Sequence, residues 1–318
     1  LNRPASPSQD VKRIFGGFFV MQKAIYQKPF KTVAEQIALL EGRGLSVDID
    51  ASDFAAFLRS VNYYRFTGYA IPFQIDREHF AKDAKASDIL ALYHYDRKLR
   101  DLLFEALEVI ELNFRTIFAH EAARAHGPLG YLDAANFTDA AKHAKAVSRL
   151  QDEFDRSKEK CVLHFKANYA NPPVWSVVEI ASFGALVHFF RMMQPSDQNK
   201  IATAYGYQGN YTASYIQHLC VLRNLCAHHG RLYDHQWDYR FAALPEWKGL
   251  AVPKWRPFFY QCALVYRFLK PTEKFVFDRD GWKDRLCKLM GEIPQNPVFD
   301  AKARAAIPDD PATSPFWV

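Results

Sequence analysis

From Gln217 to Arg231 the chain reads Gln-His-Leu-Cys-Val-Leu-Arg-Asn-Leu-Cys-Ala-His-His-Gly-Arg. The polar residues in this run are the kinds that handle protons and phosphates. An imidazole moves a proton near neutral pH, and a guanidinium holds a phosphate through two parallel hydrogen bonds. Arg223, Asn224 and His228 are therefore candidates for metal-free chemistry on a phosphodiester, with His229 and Arg231 in support. Asn224 and His228 lie four apart, on one face of a helix. Arg223 and His228 are five apart, about 140° around an ideal helix, and serve one site only where the last turn tightens or frays. A plainer reading gives the same residues no chemistry, because basic side chains at a helix end offset the macrodipole and solvate the cap.

A second pair, Arg115 and His120, repeats the spacing. Glu111 stands four residues before Arg115, so this pair also reads as part of an intrahelical salt bridge. Glu179 is either buried, pairing with Arg223 or orienting an imidazole, or an ordinary exposed glutamate. The chain has no GxGxxG, P-loop, HExxH or GxSxG, and no paired acids at metal-ligand spacing. No metal site and no cofactor are expected, and the Arg–His pairs are the remaining candidates for catalysis.

These residues need elements to hold them. Leu219, Leu222, Leu225 and Cys226 recur at helical spacing, with the helix starting near Thr212 and Gly230 placed for a left-handed C-cap. Residues 87–126 are helical in period almost throughout, with no Gly or Pro before Gly127, giving one long helix or two joined near Arg97–Asp101. Thr32 with Glu35 three residues on forms a capping box, and a short helix follows Ser52. Residues 61–73 fit neither period and read as an aromatic connection bracing helices. The functional alternative is that bases stack on Tyr63, Tyr64 or Tyr69. Asn136 to about Lys160 reads as a solvated helix, Val174–Met193 as one helix, and Pro257–Leu269 and Trp282–Met290 as two more.

Residues 1–27 read as a flexible tail or extension, with Met21 a candidate natural start. Residues 28–300 read as one all-helical domain and 301–318 as an extended tail. With 318 residues, 49% hydrophobic and 15% aromatic, the chain has ample material for a core. A net charge of +6 permits nucleic-acid binding without demanding it. Five cysteines with no CxxC read as buried thiols of a reducing cytoplasm. No run is long enough for a membrane span, and Ile14–Val20 lacks the cleavage site of a signal peptide.

Several separated motifs resemble one family. They are Lys28-Pro29-Phe30, Gln36-Ile37-Ala38-Leu39-Leu40, and Asn62-Tyr63-Tyr64-Arg65-Phe66-Thr67-Gly68-Tyr69. The series continues with Leu99-Arg100-Asp101, Ile110-Glu111, Arg115, Pro172-Pro173-Val174-Trp175, and Leu222-Arg223-Asn224-Leu225-Cys226-Ala227-His228-His229-Gly230-Arg231-Leu232. Together they look like the Abi-like proteins of bacterial abortive infection (the AbiD/AbiF type), over about residues 28–235. The resemblance implies the HEPN superfamily: an all-α bundle, here with additional N- and C-terminal helices, whose nuclease members carry an Arg, four residues and a His. It implies a toxin that cuts RNA without metal, leaving a cyclic phosphate, with two motifs meeting across a homodimer or within one chain. The partners it implies are RNA as substrate, a regulatory non-coding RNA, and an antitoxin. On this chain the motif falls on Arg223, Asn224 and His228, with Arg115 and His120 as the second match. Asp234 departs from the pattern, where Asn is expected.

Overall fold

A single helix organises the molecule. In the computed structural model, α4 runs unbroken from Ala86 to His126, 41 residues, or about 60 Å at 1.5 Å per residue. Residues 29–237, 240–272 and 274–318 are described, except for the Cys161 side chain; the expected N-terminal extension, Met21 included, lies outside them. Nothing interrupts α4 at Arg97–Asp101, where no Gly or Pro frees the backbone, and Gly127 at φ 75° closes it.

Before α4 come α1 (Val33–Gly42), α2 (Ala51–Val61) and α3 (Tyr63–Ala70). After it come α5 (Ala140–Arg156), α6 (Lys160–Asn168), α7 (Val174–Ile180), α8 (Phe183–Met192), α9 (Pro195–Ala202) and α10 (Gly209–Ala227). The last are α11 (Phe258–Phe268), α12 (Arg279–Gly291) and α13 (Ala301–Ala305). The fold is all-α: among the described residues only isolated bridges stand in for strands. Helices α3, α7, α8, α9, α10, α11 and α12 all pack on α4. Its buried Leu99, Leu103, Leu107, Ile110, Phe114 and Phe118 supply the axis of one continuous core.

The Thr32–Glu35 capping box forms as expected. Helix α2 starts at Ala51, two residues earlier than a helix following Ser52, because Asp50 caps it by accepting from the Ser52 amide at 2.8 Å. The aromatic stretch is not a connection but a helix, α3, followed by a 3₁₀ turn at Ile71–Phe73. Asn62 makes this possible. At φ 75° it ends α2, and its side chain caps α3 by accepting from the Tyr64 amide at 2.9 Å. Residues 174–193 form two helices, not one, because Ser182 adopts an extended conformation and caps α8. Helix α11 is buried along its whole length, not amphipathic. The final residues lie across it: Trp317 meets Phe259 and Tyr266 edge-on, and Trp247 donates to the Phe316 carbonyl at 3.1 Å. Cys220, Cys226, Cys262 and Cys287 are buried free thiols. Burial pushes Cys220 up to about 11 and Cys226 up to about 12, so neither is a ready nucleophile. No helix among the described residues is long and apolar enough to cross a membrane.

Candidate active site

Helix α10 ends in a Schellman closure. The His229 amide donates to the Cys226 carbonyl at 3.1 Å and the Gly230 amide to the Leu225 carbonyl at 2.8 Å. The left-handed residue is His229, at φ 58°, and not Gly230 as the spacing suggested. Gly230 is needed for a different reason: a Cβ there would stand 2.1 Å from Leu225 Cδ1 and 3.1 Å from the Leu225 carbonyl oxygen. A β-carbon-bearing residue in the left-handed region costs about 1 kcal/mol, so surrounding contacts must hold His229 there.

Those contacts come from α3 and α4. Arg65 donates to the His229 carbonyl and Arg231 to the Gly68 carbonyl, which fastens the cap to α3. Arg100 donates to the Gly230 carbonyl at 3.1 Å and pairs with the fully buried Asp96 at 2.5 Å. Asp96 also accepts from the Tyr69 hydroxyl at 2.6 Å and from the Tyr233 amide at 2.8 Å. Burial pushes the Asp96 carboxyl above its usual range, and these donors oppose that push. Asp234, the departure from the family pattern, pairs with Arg231 at 2.8 Å.

The motif residues take distinct places. Arg223 lies half-buried against α4, where Nε donates to Glu111 Oε2 at 2.7 Å and Nη2 lies 2.6 Å from the same oxygen. Its Nη1 donates to Asn224 Oδ1 at 3.0 Å, and the guanidinium sits 5.9 Å from the centre of the Phe183 ring. Asn224 therefore steadies the arginine through its side chain and the cap through its carbonyl, which accepts from the His228 amide at 2.9 Å. His228 and His229 are exposed. With Arg231 and His235 they line a cleft of about 590 Å³ between the cap and α3, whose other wall carries Tyr64 and Arg65. Arg223 is not among the residues lining that cleft.

Arg115 and His120 are not brought together. Arg115 is buried, pairs with Glu111, and donates to the Val178 carbonyl and to the Ala181 carbonyl at 2.7 Å, closing the end of α7. His120 is exposed on α4 with Glu121 3.3 Å away. Glu179 is exposed and has no ion pair among the described residues; the carboxylate facing Arg223 is Glu111. Glu111 was legible only as a helical neighbour of Arg115. The missed signal is its place on the stripe of Leu107, Ile110, Phe114 and Phe118, where a charge is buried and must find a partner from another element. Asp96 and Arg100, beside Leu92, Leu99 and Leu103, carry the same signal. Among the described residues no group of three or more His, Cys, Asp or Glu is placed to hold a metal ion.

The family model for Abi-like proteins matches residues 56–234, more than half of the 318. The chain belongs to the Abi-like family. The matched span runs from within α2 to just past the α10 cap, and so includes Tyr64, Glu111, Arg223 and His228. Membership carries a role in abortive infection, the defence of bacteria against phage. No curated protein and no solved structure matches this Abi-like chain.

Proposed function

We propose that this Abi-like protein is a metal-independent endoribonuclease of the HEPN type, acting as the toxin of a phage-defence system. The observation that carries the reading is the exposed His228, set by the α10 cap in the wall of a cleft and five residues beyond a clamped Arg223. In the reaction the ribose 2′-oxygen attacks the adjacent phosphorus and loses its proton. The bond from phosphorus to the 5′-oxygen breaks, and that oxygen gains a proton. The products are a 2′,3′-cyclic phosphate and a 5′-hydroxyl. His228 supplies one of the two proton transfers, a role typically contributing about 10²–10⁴-fold. Arg223 and Arg115 share the single carboxylate of Glu111, which leaves the trio a net charge of +1 to attract a phosphodiester.

In-line transfer needs a second proton mover on the opposite side. His229 and His235 share the cleft with His228, and a second subunit would bring another Arg223–His228 pair. Arg115, with its donors spent on Glu111 and two carbonyls, is better suited to holding the scaffold.

The rival reading is a non-catalytic RNA-binding module of a defence or toxin–antitoxin complex. Arg223's bonds to Glu111 and Asn224 favour it, since they resemble a structural tie. Incubation of labelled single-stranded RNA in excess EDTA separates the two. Wild type is expected to yield cyclic-phosphate ends, substrate with 2′-deoxyribose at the cut site to resist, and His228→Ala to lose cleavage by 10²-fold or more while keeping its fold. Full activity in His228→Ala overturns the assignment. RNA binding without cleavage, weakened by Arg223→Ala alone, supports the rival.

A further inference from the structure

The cleft at His228 does not end at α3. Tyr64 and Asn62 line it, and both also line a second and larger groove of about 1120 Å³ that runs between α1, α2 and α3. Tyr64 therefore stands on the ridge between the two spaces. It is 69% exposed, an unusual state for a large aromatic ring at the foot of a helix whose Phe66 and Tyr69 are buried. The Tyr63 ring meets it edge-on at 5.7 Å, which braces it while leaving exposed ring surface. The Asn62 cap fixes its backbone.

The larger groove has a lining that suits a polyanion with flat bases. Lys31, Arg59 and Arg77 are exposed along it and have no ion pair among the described residues. Its remaining basic residue, Arg43, is neutralised by Glu78 at 2.6 Å. Leu39 and Tyr63, both partly exposed, add apolar surface to the same lining. Alternating cations and exposed aromatic surface grip the backbone and stack the bases of a single strand, and a duplex cannot offer its base faces to such a wall.

We propose that the two spaces form one track for single-stranded RNA, with a nucleobase stacked on Tyr64 next to the phosphate at His228 and the strand continuing past Arg59 and Arg77. The inference rests on the ribonuclease reading only for the position of the cut; the binding track stands or falls on its own. Tyr64 is a specificity-determining residue in this arrangement. It selects unpaired RNA and sets how the strand enters the cleft.

The test measures binding and cleavage separately, on the full chain. Fluorescence anisotropy with a labelled 12-nucleotide oligouridylate, and with the same strand in a duplex, is run on wild type, Tyr64→Ala, Tyr64→Phe and Arg59→Ala/Arg77→Ala. Thermal melts check each fold. The expected result is preference for the single strand, at least about fivefold weaker binding in Tyr64→Ala, and recovery in Tyr64→Phe. The double arginine variant is expected to flatten the dependence of log K on log salt by about 1.4, from two phosphate contacts at about 0.7 each. If Tyr64→Ala binds the single strand as wild type does, or the duplex binds equally well, the track is overturned. Loss of affinity in both Tyr64→Ala and Tyr64→Phe, with normal melts, also overturns stacking. An unchanged salt slope in the arginine variant excludes the larger groove, as expected if it receives a protein instead. Tyr64-dependent binding with no cleavage by wild type supports the track while removing the nuclease reading.

Discussion

Glu111 is the residue on which the candidate site turns. One carboxylate receives Arg115 from its own helix and Arg223 from α10, and it is buried. Removing its charge leaves two largely buried guanidiniums without their shared counter-ion. Glu111→Gln is therefore expected to lower the unfolding free energy by about 3 kcal/mol, the scale of a broken buried pair, measured by urea titration at constant m-value. It also frees Arg223, so on the ribonuclease reading cleavage is expected to fall even under conditions where the fold survives. Arg223, Asn224 and His228 were legible in the sequence as candidates, beside the plainer reading of basic residues that solvate a helix end. The acid that clamps Arg223 was not, since the two are 112 residues apart and helical spacing reports only neighbours along one helix. The glycine was also read for the wrong reason. Spacing cannot distinguish a left-handed φ from a close approach, and here His229 takes the first and Gly230 the second.

At the scale of elements, the α2–α3 junction governs the cleft wall. Asn62 does two jobs at once, adopting φ 75° to end α2 and capping the first turn of α3. Asn62→Ala loses the cap and meets the left-handed penalty together, a cost of about 1–2 kcal/mol, visible as a lower melting temperature. Because α3 carries Tyr64, Arg65 and Gly68, all of which face the α10 cap or the cleft, the same variant is expected to bind single-stranded RNA more weakly. This junction escaped sequence reading for a physical reason. An asparagine between two short helices breaks the apolar period that would have revealed each of them. By contrast the helical period of α4 was plain, though it fitted one helix or two joined near Arg97–Asp101; 40 residues without Gly or Pro leave no cheap place to break, and the helix is one. The split between α7 and α8 turned on Ser182, whose cap outweighs the continuing apolar pattern around it.

Across the whole molecule, the residues beyond the family match complete the core that α4 and α10 require. Helix α11 is enclosed on all sides, with Arg267 reaching Glu246 at 3.0 Å and the Tyr205 carbonyl at 2.9 Å, and Trp317 laid over Phe259. Its apolar stripe was visible in the sequence. Its full enclosure was not, because enclosure depends on distant segments such as residues 311–318.

The ties that shape the α10 cap all span great lengths of chain: Arg65 to His229, Gly68 to Arg231, Asp96 to Leu232 and Tyr233, Arg100 to Gly230. Contacts so remote in sequence close late in folding, after their loop entropy has been met by the core. The imidazole at the cap is thus among the last features to be set, and a half-folded chain carries no working geometry. Native-state hydrogen exchange gives the measure: the Leu232 and Tyr233 amides, held on a carboxylate with no solvent access, should exchange only when the entire protein opens, as slowly as the slowest amides of α4. On the proposed toxin reading, a chain built this way is harmless to its maker until folding is finished.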